Sequence, residues 1–162
     1  MDYLYHLLNN YVLNVSIFAW ISAQVLKTLI TWSTTGKFQK ERLIGAGGMP
    51  SAHSATVCAM TIAVSRISGF NSPEFAICCI VAFVVMYDAT GVRRAAGEQA
   101  RRLNQILSHF KKQGIDIGLE EEDDPTENPD MKELKEFLGH TPVQVLAGAL
   151  LGIIIAMLVP VR

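Results

Sequence analysis

The chain has 162 residues, half of them apolar, with 14 basic against 15 acidic side chains and a net charge of −1. That length suits one domain, and the charge balance lacks the basic surplus of a nucleic-acid binder. The distribution is more telling than the totals, because charge crowds into two connections and nearly vanishes from 11–26, 55–64, 75–87 and 143–161. A membrane span needs about 20 mostly apolar residues to cross roughly 30 Å of hydrocarbon. The expected architecture is all-α: an integral membrane bundle of about four transmembrane helices with a cytoplasmic amphipathic helix, forming a single membrane domain over 1–162.

In chain order, the first span is expected over 11–32. No basic leader followed by a small-residue cleavage site precedes it, so it reads as a retained span. Lys27 lies one turn before its inner end, where it either snorkels to the surface or reaches a phosphate. Gly45, Gly47 and Gly48 then either let the backbone approach a ligand or only tighten the entry to the next span. Pro50 and Ser51 start a second span, 51–69, whose free N–H groups and positive dipole end favour an anion. His53 falls in that first turn, while Arg66 lies near the other end.

The third span, 74–92, is apolar all round from Phe75 to Met86, which a soluble amphipathic helix would not be. Asp88, Arg93 and Arg94 close it: the arginines carry planar forks matching phosphate oxygens, and Asp88 can orient a histidine or hold an arginine. From Val92 onward apolar residues recur at three- and four-residue steps among basic ones, so an amphipathic cytoplasmic helix is expected to follow. It opens a cytoplasmic connection, 93–140. The acidic run 120–124 reads as a flexible linker without calcium-loop spacing, and Asp130 with Glu133 can cap a short helix over 131–138. Gly139 and His140 lead into a fourth span, 142–160, with Thr141 as N-cap and Pro142 at the first helical position. Cys58, Cys78 and Cys79 lack metal-site spacing and read as small packing residues, and His6 and His109 as solvated surface histidines.

Both long connections are rich in Lys and Arg, whereas the other side of the four spans holds only Arg66 and Arg162. Basic flanks are retained in the cytoplasm, so the expectation is a multi-pass protein of the cell membrane with both termini outside. Three polar motifs then share the cytoplasmic face: 47–54, 88–94 and 139–142. Two helix N-termini, each bearing a histidine, point at one site there, and ionisable groups at a membrane edge are costly enough to be functional by default.

Those residues carry a resemblance. Met49-Pro50-Ser51-Ala52-His53-Ser54, the run from Asp88 through Arg94 to Ala100, and Leu138-Gly139-His140-Thr141-Pro142 resemble the divergent branch of the type 2 phosphatidic acid phosphatase superfamily, related to vanadium haloperoxidases. The similarity runs from Gln24 and Lys27 to the last span. It implies that His140 is the nucleophile and His53 the acid that protonates the leaving group. Lys27, Gly48, Ser51, Ser54, Arg93, Arg94, Glu98 and Gln144 would surround the phosphate. The departures are specific: Ala52 replaces the motif glycine, no Arg lies six residues before His140, the superfamily's Lys-x6-Arg-Pro motif is not evident, so that Lys27 or Lys40 and Arg93 or Arg94 would have to supply its donors, and Gln144 stands where an acid would orient that histidine. Either Asp88 takes over the orienting role or activity is weak or absent.

The expected function is therefore a membrane phosphatase that hydrolyses a lipid phosphate or diphosphate at the cytoplasmic interface through a phosphohistidine, with no metal or other cofactor. Its partners would be the lipid substrate and the bilayer, and a homodimer would help four short spans to enclose a polar site. The competing readings are a non-catalytic binder or transporter of anionic lipids, and a metal-dependent lipid phosphotransferase using Asp88, Glu98 and a histidine.

Overall fold

A computed structural model describes residues 2–36, 48–113 and 139–161. Six helices occupy them: α1 (Asp2–Leu8), α2 (Tyr11–Thr35), α3 (Ala52–Ser68), α4 (Pro73–Thr90), α5 (Val92–Lys112) and α6 (Pro142–Leu158). The expected acidic linker, the short helix over 131–138 and the glycines at 45 and 47 lie outside the described residues.

Local chemistry explains where the helices begin. Asn10, Ser51, Ser72 and Thr141 are extended residues whose side chains accept from the backbone N–H three positions on, which supplies one of the partners a helix start lacks. Pro73 and Pro142 follow two of these caps, where their missing N–H costs nothing. Helix α1 was not anticipated in the sequence; Asn14 Nδ2 ties it to α2 by donating to the Leu8 carbonyl at 2.7 Å. The junction between α4 and α5 keeps its backbone bonds, Gly91 N–H to Tyr87 and Ala95 N–H to Gly91, both 2.9 Å, so α5 continues from α4 as the periodicity suggested.

The packing is inverted relative to a water-soluble bundle. Small residues fill the interior: Ala19, Ala23, Ala55, Ala59, Ala63 and Ala156 are completely buried. Large apolar side chains such as Phe18, Ile21 and Leu29 on α2, Ile80, Phe83 and Val84 on α4, and Leu146 and Leu150 on α6 point outward. Soluble cores bury those larger residues. In lipid, where tails are as apolar as leucine, helices gain instead from close backbone approach through small residues. Gly148, Gly152 and Ala156, spaced by four, do this on α6. A Cβ at Gly148 would lie 2.2 Å from the Ser51 carbonyl oxygen, and one at Gly152 2.1 Å from that of Ala55. Helix α2, at 25 residues about 37 Å long, and the run Pro73–Phe110 are long and apolar enough to cross a bilayer; α6 is apolar but shorter.

Two sets of bonds fix the alternation of α2, α3, α4 and α6. At one end Arg66 Nη1 donates to the Ala156 carbonyl, to the Val159 carbonyl at 2.6 Å and to the Tyr11 hydroxyl at 2.7 Å, and that hydroxyl also donates to Val159 at 3.0 Å. A cation thus serves the last carbonyls of α6, where the helix dipole is negative. At the other end Ser51 N–H donates to the Gln144 carbonyl at 3.0 Å and His140 N–H to that of Ala89 at 2.9 Å. These ends of α3, α4 and α6 therefore meet, bringing the three polar motifs together.

Candidate functional site

The site is built on two helix starts. In α3 the Ser51 hydroxyl accepts from the Ser54 N–H at 3.4 Å and from the Ser54 hydroxyl at 3.0 Å, and both side chains are completely buried. These serines hold the first turn, and His53 projects outward between them. In α6 Thr141 and Gln144 form a reciprocal capping box, with Gln144 Oε1 accepting from the Thr141 N–H at 3.0 Å. The same oxygen lies 3.2 Å from His140 Nδ1. Since Oε1 only accepts, the contact is a hydrogen bond in the tautomer that carries the proton on Nδ1, which leaves Nε2 as the basic nitrogen. Gln144 thus occupies the orienting position that the motif comparison assigned to an acid.

Gly139 brings His140 there. Its φ is +88°, and a Cβ would lie 2.3 Å from the Arg94 backbone nitrogen, so only glycine lets this turn lie against the α4–α5 junction. His140 is 4 % exposed, and its ring centroid is 6.5 Å from that of His53. Burial pushes the His140 imidazole below its ordinary range, and the nearby positive charge of Lys27 and the His53 ring act in the same direction; hydrogen bonds with Gln144 and the Gly48 backbone oppose them without prevailing. The resting His140 is a neutral base at neutral pH.

Lys27, left between two roles in the sequence, is 1 % exposed and does not snorkel. Its charge acts on both histidines. The two arginines separate. Arg93 Nε donates to Asp88 Oδ2 at 2.5 Å, and both charges act on His53; Arg94 pairs instead with Glu98 at 3.2 Å along the exposed face of α5. Asp88 accordingly holds an arginine, not a histidine. His53, His140, Lys27, Gln144, Gly48, Asp88 and Arg93 thus form one neighbourhood, with Ser51 and Ser54 beneath it and Arg94 and Glu98 turned aside. Among the described residues no three His, Cys, Asp or Glu side chains are grouped as metal ligands. His109 bonds its helical neighbour Gln113, at an exposed position.

One feature escaped the sequence reading: Gly148 and Gly152 set the distance between the two histidine-bearing helices, and their four-residue spacing was a legible signal. Gln24, which the resemblance marked only as its starting point, is 7 % exposed, with an Oε1 that has no hydrogen-bond partner among the described residues.

No solved structure matches the chain. An uncharacterized membrane protein of Bacillus subtilis (strain 168), YuiD, is 40 % identical over 153 residues, covering 93 % of this chain and 94 % of the relative. The model of the Divergent PAP2 family matches residues 8–155, which takes in the capped His53 turn, the Asp88–Arg93 pair and the His140–Gln144 box. The chain belongs to the Divergent PAP2 family.

Proposed function

We propose that this protein is a multi-pass membrane phosphatase that removes phosphate from a lipid phosphate or diphosphate at the cytoplasmic interface. One observation carries the reading: two histidines on facing helix starts, 6.5 Å apart, with a buried lysine acting on both. The small interior and large apolar exterior favour a bilayer setting, as does the similarity to a membrane protein of Bacillus subtilis. The basic connections favour a cytoplasmic site, with both termini outside.

In this mechanism His140 Nε2 attacks phosphorus in line while Gln144 holds Nδ1–H. His53 gives a proton to the departing alkoxide or phosphate oxygen and then takes one from the water that hydrolyses the phosphohistidine. Lys27 and Arg93 hold the equatorial oxygens, beside the N-terminal dipoles of α3 and α6. Gln144 orients the imidazole without the negative charge that would stabilise its phosphorylated, cationic form. Turnover slower than with a carboxylate is the expected consequence.

The test is phosphate release from phosphatidate, phosphatidylglycerophosphate and prenyl diphosphates by purified protein in EDTA, together with trapping of acid-labile phosphohistidine. His140→Ala should abolish both signals. His53→Ala should let the intermediate accumulate when the leaving group needs no proton. Hydrolysis that survives His140→Ala would refute the mechanism. Activity that requires added Mg²⁺ would favour a metal-dependent transferase, and lipid binding without release would favour an anionic-lipid binder, for which Gln144 is the motivating residue.

A further inference from the structure

A groove of about 450 Å³ runs between α2 and α3, lined on α2 by Leu13, Ile17 and Trp20 and on α3 by Thr56 and Met60. Its volume falls in the range that holds one small ligand. Beyond the groove the same face of α2 runs on toward the site, because Leu13, Ile17, Trp20, Gln24 and Lys27 recur at steps of four and three and so share one helix face. The α3 wall does the same: His53, Thr56 and Met60 follow at steps of three and four. The groove's lining stops at Trp20 and Thr56, and the next residues on the same two faces toward the site are Gln24 and Lys27 on α2 and His53 on α3, where positive charge suits a phosphate. Gln24 stands between, nine-tenths buried, with a carbonyl oxygen that has no donor among the described residues and that a head-group O–H would satisfy.

At 1.5 Å per residue, Trp20 lies about 10 Å and Leu13 about 21 Å along α2 from Lys27. With Lys27 near one edge of roughly 30 Å of hydrocarbon, the groove straddles the bilayer midplane. We propose that this groove holds a single hydrocarbon chain of the lipid phosphate bound at His53 and His140, and that it selects a chain long enough to pass the midplane. The inference deepens the phosphatase reading and rests on it only for the phosphate end. A chain confined to one leaflet leaves the Leu13 end of the groove to other lipids, whereas a longer chain gains contact there with each added carbon.

The experiment uses the full chain in nanodiscs and two single-chain alkyl monophosphates, one shorter than half the hydrocarbon thickness and one longer, each with a diazirine at its tail end. The long probe should label the α2 segment 13–20 or Met60, and be displaced by unlabelled long-chain phosphate but not by the corresponding alcohol. The short probe should label nearer to Gln24. Thr56→Trp, which fills the groove from α3, should lower long-probe labelling at least tenfold more than short-probe labelling, equivalent to withdrawing about two methylene groups from contact. Ser16→Phe tests the same from α2 should the first variant not fold. Labelling spread over the outward residues Ile80, Phe83 and Val84 of α4, without competition, would overturn the proposal even if phosphate is released. Groove labelling without phosphate release from any lipid would support the groove and remove the hydrolysis.

Discussion

Replacing Gly148 by alanine tests the contact that sets the two histidines at their distance. The new methyl carbon would start 2.2 Å from the Ser51 carbonyl oxygen, a backbone atom that cannot swing aside, whereas ordinary contact begins at 3.4 Å. Helices α3 and α6 must therefore separate locally by about an ångström. Overpacking of this kind costs about 1–3 kcal/mol, and the better helix propensity of alanine returns about 1 kcal/mol at most. The net loss of stability should be modest, on the order of 1–2 kcal/mol. The effect on turnover should be larger, because Ser51 caps the turn that carries His53 and its N–H donates to the carbonyl of Gln144, the residue that orients His140. A misplacement of about 1 Å at reacting groups can cost on the order of a hundredfold in rate. Thermal unfolding in detergent, paired with single-turnover phosphate release, separates the two effects. A Gly148→Ala protein that melts no lower than the wild type and turns over at an unchanged rate would refute both the close approach and its role in placing the site.

Other outcomes follow from the same geometry. Gln144→Glu should preserve the fold, since glutamate serves equally at the third position of a capping box, and should preserve or raise turnover by stabilising the phosphorylated imidazolium; a steep loss in rate with unchanged melting would contradict the assigned orienting role. Because His140 titrates below its unfolded value of 6.5, the unfolded chain takes up the proton first as pH falls, so this part of the stability is intact above pH 6.5 and is lost between there and the lower folded value. Melting temperatures at pH 7.5 and 5 should accordingly differ more in the wild type than in His140→Asn, and equal differences would count against it. Arg93→Lys should impair turnover by losing the planar fork, whereas Arg94→Lys, on an exposed pair with Glu98, should be nearly silent; equal tolerance at both positions would reduce the pair to a charge cluster. In a cysteine-free background, an impermeant external reagent should modify a cysteine at Asn71 and miss one at Asp116, and the reverse pattern would invert the proposed orientation.

Much of the helix layout was legible because helix starts and apolar runs are local properties. Ser51 and Thr141 are short oxygen-bearing residues placed to accept from an N–H three positions on, and Pro142 fits a first turn whatever packs against it. The gathering of His53, Asp88 and His140 was also within reach, since alternating spans put every second connection on one side. Partner choice was not. Whether Arg93 or Arg94 turns toward His53 depends on how α5 leaves Gly91, because adjacent residues on a helix point about 100° apart. Lys27 could snorkel or stay inside until its neighbours were known, and the packed fold leaves it 1 % exposed. Gln24 and Arg66 gain their meaning from chains distant in sequence: one is buried without a described partner for its carbonyl oxygen, while the other reaches the last carbonyls of α6. The sequence by itself determined where the helices from α2 onward form and which ends they share, because caps and apolar length act within a few residues. Only the tertiary structure decided which charges are buried and how closely α3 meets α6, because those depend on backbones meeting across Gly148 and Gly152 from opposite ends of the chain.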